Sequence, residues 1–192
     1  GDANHYPSDN PYELLRSLIP QNIISRKYAG GLSGYLGYDA MQYFEPSLTL
    51  KASDDFDTFR FGLYKDGLIL DKMTGEVTYF YYDNSRYAFL QTLIDADDEP
   101  AGPLRITALG DTMSKAEHAK AVAKVKQDII DGKVFQCEVG FKKRFRIQGD
   151  TLALYDQLRT INPSPQMYYV KFGEQKLIGA SPELLFRLRQ GE

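Results

Sequence analysis

The chain has one cysteine, Cys137, and only two histidines, His5 and His118. A lone thiol cannot close an internal disulfide, and two histidines this far apart with no neighbouring Cys do not match a zinc-site spacing. No apolar run approaches the ~20 residues that a membrane-spanning helix requires. The amino-terminal Gly1-Asp2-Ala3-Asn4-His5 has neither the positive region nor the apolar run of a secretory signal. There is no internal repeat. Gly31, Gly34 and Gly37 invite a phosphate-loop reading, but neither Gly-x-x-x-x-Gly-Lys-Ser/Thr nor Gly-x-Gly-x-x-Gly opening a helix is present. Lys and Arg are scattered among acids, with a formal net charge of −3, so no basic stripe marks a nucleic-acid surface. These absences argue against a disulfide scaffold, a helical membrane protein, a nucleotide-phosphate loop and a nucleic-acid binder. A cytoplasmic protein with neither membrane nor nucleic acid as partner is the expectation.

What is present is ordinary globular composition: 192 residues, 43% hydrophobic and 26% charged, enough to bury a core. Leu14, Leu15 and Leu18 predict a short amphipathic helix from Pro11, after Ser8-Asp9-Asn10. Residues 29–37 read as a buried strand whose glycines permit close packing beneath Tyr35 and Tyr38. A helix over Ala40 to Phe44 follows, stopped by Pro46. Phe59 to Lys65, Leu68 to Lys72 and Glu76 to Tyr82 predict three strands, with Asp66-Gly67 as a type I′ hairpin turn and Met73-Thr74-Gly75 as a second turn. Both faces of the third strand are expected to be partly covered. A helix is predicted over Arg86 to Ile94. Residues 95–103, acidic and rich in Pro and Gly, form a linker, dividing the chain into regions 1–99 and 100–192.

Beyond the linker, Ser114-Lys115-Ala116-Glu117 is a capping box, and His118, Val122, Val125 and Ile129 make a core-facing helical stripe that Gly132 ends. A strand over Val134 to Arg146, a helix over Thr151 to Ile161, and strands over Met167 to Phe172, Lys176 to Ala180 and Glu183 to Arg189 complete the prediction. Helices and strands mix without βαβ alternation, so the fold class is α+β. His118 reads as a packed residue. Cys137 has no base nearby in sequence that would make it a nucleophile. Lys142, Lys143, Arg144 and Arg146 read as a solvated or anion-facing strand edge. Glu183, directly after Ser181-Pro182 at a predicted strand start, is a carboxylate held by rigid backbone. In an apolar pocket its pKa would rise, enabling it to donate a proton at neutral pH.

Three segments carry a resemblance when taken in order: Phe135-Gln136-Cys137, then Asn162-Pro163-Ser164-Pro165-Gln166-Met167-Tyr168, then Gly179-Ala180-Ser181-Pro182-Glu183. With Gly30-Gly31-Leu32-Ser33-Gly34-Tyr35-Leu36-Gly37-Tyr38-Asp39 upstream, the sequence resembles the chorismate-utilising enzymes, most closely component I of anthranilate synthase. The resemblance implies a partial component I fold whose family chain continues past Glu192, through a catalytic histidine and magnesium-binding glutamates. It implies chorismate as substrate, Mg²⁺ on the ring carboxylate with no metal ligand within these residues, and ammonia supplied by a glutamine amidotransferase partner. Ammonia adds at C2, the C4 hydroxyl leaves, and pyruvate is eliminated to give anthranilate for tryptophan biosynthesis. A general acid helps because hydroxide is a poor leaving group.

In this family's terms Glu183 matches that acid, and Gln136 and Ser181 match substrate-binding positions. Water-using relatives place a lysine where Gln136 stands, and a glutamine amide cannot act as a base, so Gln136 points to an ammonia-using member. Pro165, Gln166 and Met167 match the part that binds feedback-inhibiting tryptophan. Tyrosine is usual at position 166, and the Leu-Leu-Glu-Ser motif of the inhibitor site is not in this sequence. Glu138-Val139-Gly140 also departs from the usual apolar-Leu-Ser. Two alternatives remain beside an inactive piece of anthranilate synthase component I: aminodeoxychorismate synthase component I, or a non-catalytic module binding an effector or the amidotransferase.

Overall fold

The computed structural model describes residues 6, 8, 10–19, 30–51, 55–97 and 102–187. The carboxyl-terminal residues of the predicted last strand, residue 29, His5 and the centre of the linker lie outside them. Helices and antiparallel hairpins mix as an α+β fold in two compact units, Gly1–Asp97 and Asp98–Glu192.

In the first unit, α1 (Pro11–Leu18) starts where Asn10 Oδ1 accepts the N–H groups of Tyr12 and Glu13, at 3.2 and 3.3 Å. Pro11 suits the first turn because its missing N–H would have no helical acceptor there. Tyr12 carries the helix's contact, its ring centroid 3.7 Å from that of Phe44 and 5.0 Å from that of Phe59. β1 (Gly31–Leu36) pairs antiparallel with β2 (Phe59–Tyr64). A Cβ at Gly34 would overlap the Arg60 carbonyl, so this glycine permits the expected close backbone packing, here an approach across the strands. β1 is half-buried to exposed, not a buried strand.

The helix expected over 40–44 is a 3-10 turn over Tyr38–Tyr43. Its start has no side-chain cap and its bonds are i→i+3, with the Ala40 N–H donating to the Gly37 carbonyl. Asp39 and Ala40 in this turn are the only buried residues among those described. Thr58 Oγ1 donates to Asp39 Oδ2 at 2.7 Å, which anchors the turn on the entry to β2.

β3 (Asp66–Leu70) and β4 (Val77–Tyr81) form a separate hairpin. Its turn is the expected one: Asp71 Oδ1 accepts the N–H groups of Met73 and Thr74. Asp66-Gly67 is not a turn, because it lies inside β3 opposite Tyr81 and Phe80. Other partners hold Asp66 there. Arg86 donates to both its oxygens at 2.7 and 2.6 Å, and the Tyr79 hydroxyl donates at 3.2 Å. The Arg86 hydrogen bonds hold the Asp66 pKa below its ordinary value. The Arg86 N–H in turn donates to the Tyr79 hydroxyl, fixing the start of α2 (Tyr87–Ile94) against the hairpin. Both faces of β4 are partly covered, as expected: Tyr79 on one and Phe80 on the other are half-buried, while Val77, Thr78 and Tyr81 are exposed.

In the second unit, β5 (Arg105–Asp111) pairs antiparallel with β6 (Lys143–Gln148), with a register shift between Ala108 and Gly110. β5 was not expected from the sequence. Between them lies α3 (Lys115–Ile130), which begins with the predicted capping box: the Ser114 N–H donates to Glu117 Oε2 at 2.8 Å and the Glu117 N–H to Ser114 Oγ at 3.3 Å. Its expected core stripe is half-buried at His118, Val122 and Val125 and exposed at Ile129.

The strand predicted over 134–146 begins only at Lys143. The β5 partner ends at Asp111, Thr112 takes Lys142, and α3 then carries the chain away, so among the described residues no strand pairs with 134–141. Cys137 and Gln136 therefore lie in irregular chain. α4 (Thr151–Ile161) is capped by Asp150 Oδ1 on the Leu152 N–H at 2.9 Å. β7 (Gln166–Phe172) and β8 (Gln175–Ser181) close the unit as a hairpin. No strand forms over 183–187, because Pro182 has no N–H to continue the β8 ladder.

Candidate functional site

The β7–β8 hairpin is the only element pair that gathers several candidate residues among those described. α4 ends at Asn162, whose N–H donates to the Leu158 carbonyl at 2.9 Å, and Pro163 cannot continue the helix. Asn162-Pro163-Ser164-Pro165 then delivers the chain into β7. Gln166 stands directly opposite Ser181, Met167 opposite Ala180, and Tyr168 opposite Gly179. The residues matched to an effector site and the Ser181 matched to a substrate site thus share one end of one hairpin.

The two faces of that hairpin differ. α4 packs on the face of Met167, Tyr169 and Ile178: Thr151 Oγ1 lies 2.8 Å from the Tyr169 hydroxyl, and the Tyr155 and Tyr169 rings meet edge-on at 6.0 Å. Lys176 Nζ, on the same face, donates to Thr151 at 3.1 Å. Gln166, Ser181, Tyr168 and Gly179 alternate onto the opposite face. There the Tyr168 ring lies across Gly179, in the space a Cβ would fill. Sequence reasoning did not single out Tyr168. Its only signal was the small Gly179-Ala180 pair, which leaves room for a large cross-strand neighbour.

Ser181 is half-buried, and its Oγ donates to the Glu183 carbonyl at 2.9 Å, folding the chain around Pro182. Glu183 consequently follows the end of β8 and does not begin a strand. Its carboxylate is exposed, as are Leu184, Leu185 and Phe186 after it. The apolar pocket that a general acid needs is not supplied by the described residues.

Gln136 is exposed in the irregular stretch between α3 and β6. Two contacts hold that stretch: His118 Nε2 donates to the Val139 carbonyl at 3.1 Å while its ring meets the Phe141 edge at 5.5 Å, and Lys142 N–H donates to Thr112 Oγ1 at 2.9 Å. His118 is therefore a packed residue that positions the segment carrying Gln136. Among the described residues, no hydrogen bond or salt bridge joins Gln136 to Ser181 or Glu183. No group of three or more Asp, Glu, His or Cys side chains that could hold a metal ion occurs among them. No helix among them is long and apolar enough to cross a membrane.

A family model described as chorismate binding enzyme matches residues 4–192. Anthranilate synthase component 1 of Leptospira biflexa is 43% identical over 196 aligned residues, which take in 100% of this chain and 42% of the relative. The protein of the same name from Methanothermobacter thermautotrophicus is 34% identical, over 98% of this chain and 40% of its own. The crystal structure of anthranilate synthase component I from Streptococcus pneumoniae superposes with a TM-score of 0.67 at 22% identity, over 90% of this chain and 43% of that one. The chain spans less than half the length of these relatives.

Proposed function

The chain belongs to the chorismate-binding enzyme family, and on that premise we propose that it is part of an anthranilate synthase component I. The parent enzyme converts chorismate and glutamine-derived ammonia to anthranilate and pyruvate in tryptophan biosynthesis. The observation that carries this reading is the match to anthranilate synthase component 1 of Leptospira biflexa along the whole chain at 43% identity. Within it, Glu183 is the general acid that protonates the departing C4 hydroxyl, and Gln136 and Ser181 bind substrate. Pro165, Gln166 and Met167 are the effector contacts. The register that sets Gln166 opposite Ser181 supports a link between effector and substrate positions at one end of one hairpin.

Mg²⁺ would orient and neutralise the substrate carboxylate. On this reading its ligands lie in the part of the family chain that these residues do not span. The same holds for the apolar surround that Glu183 needs. On the same reading these 192 residues alone are inactive, and the glutamine amidotransferase partner acts with the whole component I. The parent works in the cytoplasm.

The test is a chimaera: the Leptospira biflexa relative with its matched stretch replaced by these 192 residues. Given chorismate, ammonium and Mg²⁺, it should yield anthranilate by chromatography. Aminodeoxychorismate as the main product would transfer the chain to that synthase, and a folded chimaera that binds partner or effector without turning chorismate over would favour a non-catalytic module.

A further inference from the structure

α3 ends against its own charge preference. Asp128 and Asp131 stand in its last turn and at its cap, where carboxylates face the negative end of the helix dipole, and that turn holds no basic residue. A cation reaches both from beyond the helix: Lys133 Nζ lies 3.0 Å from Asp128 Oδ1 and 3.0 Å from Asp131 Oδ2. Its hydrogen bonds to Asp131 and Asp128 hold the Lys133 pKa above its ordinary value. The backbone ties the same residue down. Gly132 takes φ +71°, its N–H donates to the Ile129 carbonyl at 3.0 Å, and the Lys133 N–H donates to the Asp128 carbonyl at 2.9 Å. From there the chain runs through Gln136 to Val139, whose carbonyl accepts from His118 Nε2 near the start of α3. His118 and Ile130 are about 18 Å apart along the helix. The six steps from Lys133 to Val139 reach at most about 20–22 Å, so the return leaves little slack.

We propose that Lys133 is a positioning residue for the substrate contact at Gln136: by bridging Asp128 and Asp131 it fixes where the chain leaves α3, and a span with little slack carries that placement to Gln136. This rests on the reading of Gln136 as a substrate contact. Exposed ion pairs add little to stability, so helix stability alone does not account for two acids set at the unfavourable end of α3. Neutralising Asp128 does not call for Lys133 either, because Lys124 already reaches its Oδ2 at 2.6 Å from within the helix. What Lys133 adds, and Lys124 cannot, is a tie between the helix and the segment after it. That segment is exposed as far as Glu138, and among the described residues no strand pairs with it, so its two ends place it.

Kinetics of the chimaera test this. Lys133→Met removes the charge and keeps a long, unbranched side chain. It should raise the KM for chorismate about fivefold while kcat stays within about twofold. Lys133→Arg, which can still bridge both acids, should restore the KM, and Asp131→Asn, which breaks the bridge from the helix side, should raise it. Lys124→Met removes an ion pair on the same Asp128 without touching the segment and should leave it unchanged. In a Gln136→Ala background Lys133→Met should add nothing further, because a residue that acts through another loses its effect with it. The anchor itself is read without catalysis in the 192-residue chain. A nitroxide on Cys137, the only cysteine, should move about twice as fast in Lys133→Met as in Lys133→Arg, with the helical circular dichroism of the two alike. An unchanged KM in Lys133→Met, an effect that persists in full beside Gln136→Ala, or a label that moves alike in both variants would overturn the proposal. An unsubstituted chimaera that makes no anthranilate counts against the assigned reaction, and the label then decides the anchor alone.

Discussion

Gly179 sits in the space beneath the Tyr168 ring, and its missing side chain lets β7 and β8 meet at the candidate site. Gly179→Val should destabilise the second unit by about 1–3 kcal/mol, the usual penalty for overpacking, seen as a lower denaturant midpoint. Adding Tyr168→Ala should recover part of that loss, because the two substitutions share one contact. The functional residues call for tests in the chimaera. Glu183→Gln keeps shape and hydrogen bonding but cannot supply a proton, so turnover should fall by a factor on the order of 10² to 10⁴ while chorismate binding persists. Wild-type turnover would reduce Glu183 to a turn residue. Gln136→Lys should damage ammonia-dependent anthranilate formation, and an unchanged yield by chromatography would remove Gln136 from the site.

Asp66 makes the first unit's stability depend on pH. Arg86 lowers its folded-state pKa below the unfolded value. The contribution is therefore complete above about pH 5 and is lost as pH falls through the folded value. Asp66→Asn should make the acid limb of a thermal-stability profile shallower below about pH 5, with little change in its slope near neutrality. An identical acid limb would show that the Arg86 clamp does not stabilise the first unit.

At the scale of elements, local chemistry was legible and long-range pairing was not. The capping box of α3 follows from Ser114 and Glu117 three residues apart, and both of its bonds form. Ser114→Ala should cost about 1 kcal/mol of helix stability, read from the thermal unfolding of the chain by circular dichroism. The turn at Met73-Thr74-Gly75 and the two strands β7 and β8 were equally readable, since each rests on a local pattern; that β7 and β8 pair came from the structure. Asp66-Gly67 misled because a dipeptide that suits a tight turn is held in β3 by Arg86, 20 residues away. Residues 134–142 carry strand-forming side chains, yet a strand exists only where a partner ladder does, and no local pattern reports that. β5 was missed for the converse reason: its ladder is made by β6, more than 30 residues later.

Of the site, the motifs were legible as a resemblance, and the register of Gln166 against Ser181 was not. Neither was the exposure of Glu183, which depends on what packs around it.

At the scale of the whole molecule, the burial pattern and the relatives' length agree. α2 is almost wholly apolar, with only Gln91 and Thr92 polar, yet none of its residues is buried. A helix apolar all round belongs in an interior. On the proposed reading, these residues are one part of a chorismate-converting enzyme and do not suffice alone. The most direct measurement is anthranilate fluorescence with chorismate, ammonium and Mg²⁺, on the 192-residue chain and the chimaera side by side. The account predicts no product above a no-protein control from the chain and steady anthranilate formation from the chimaera. Anthranilate from the chain alone, or none from a folded chimaera, would contradict it.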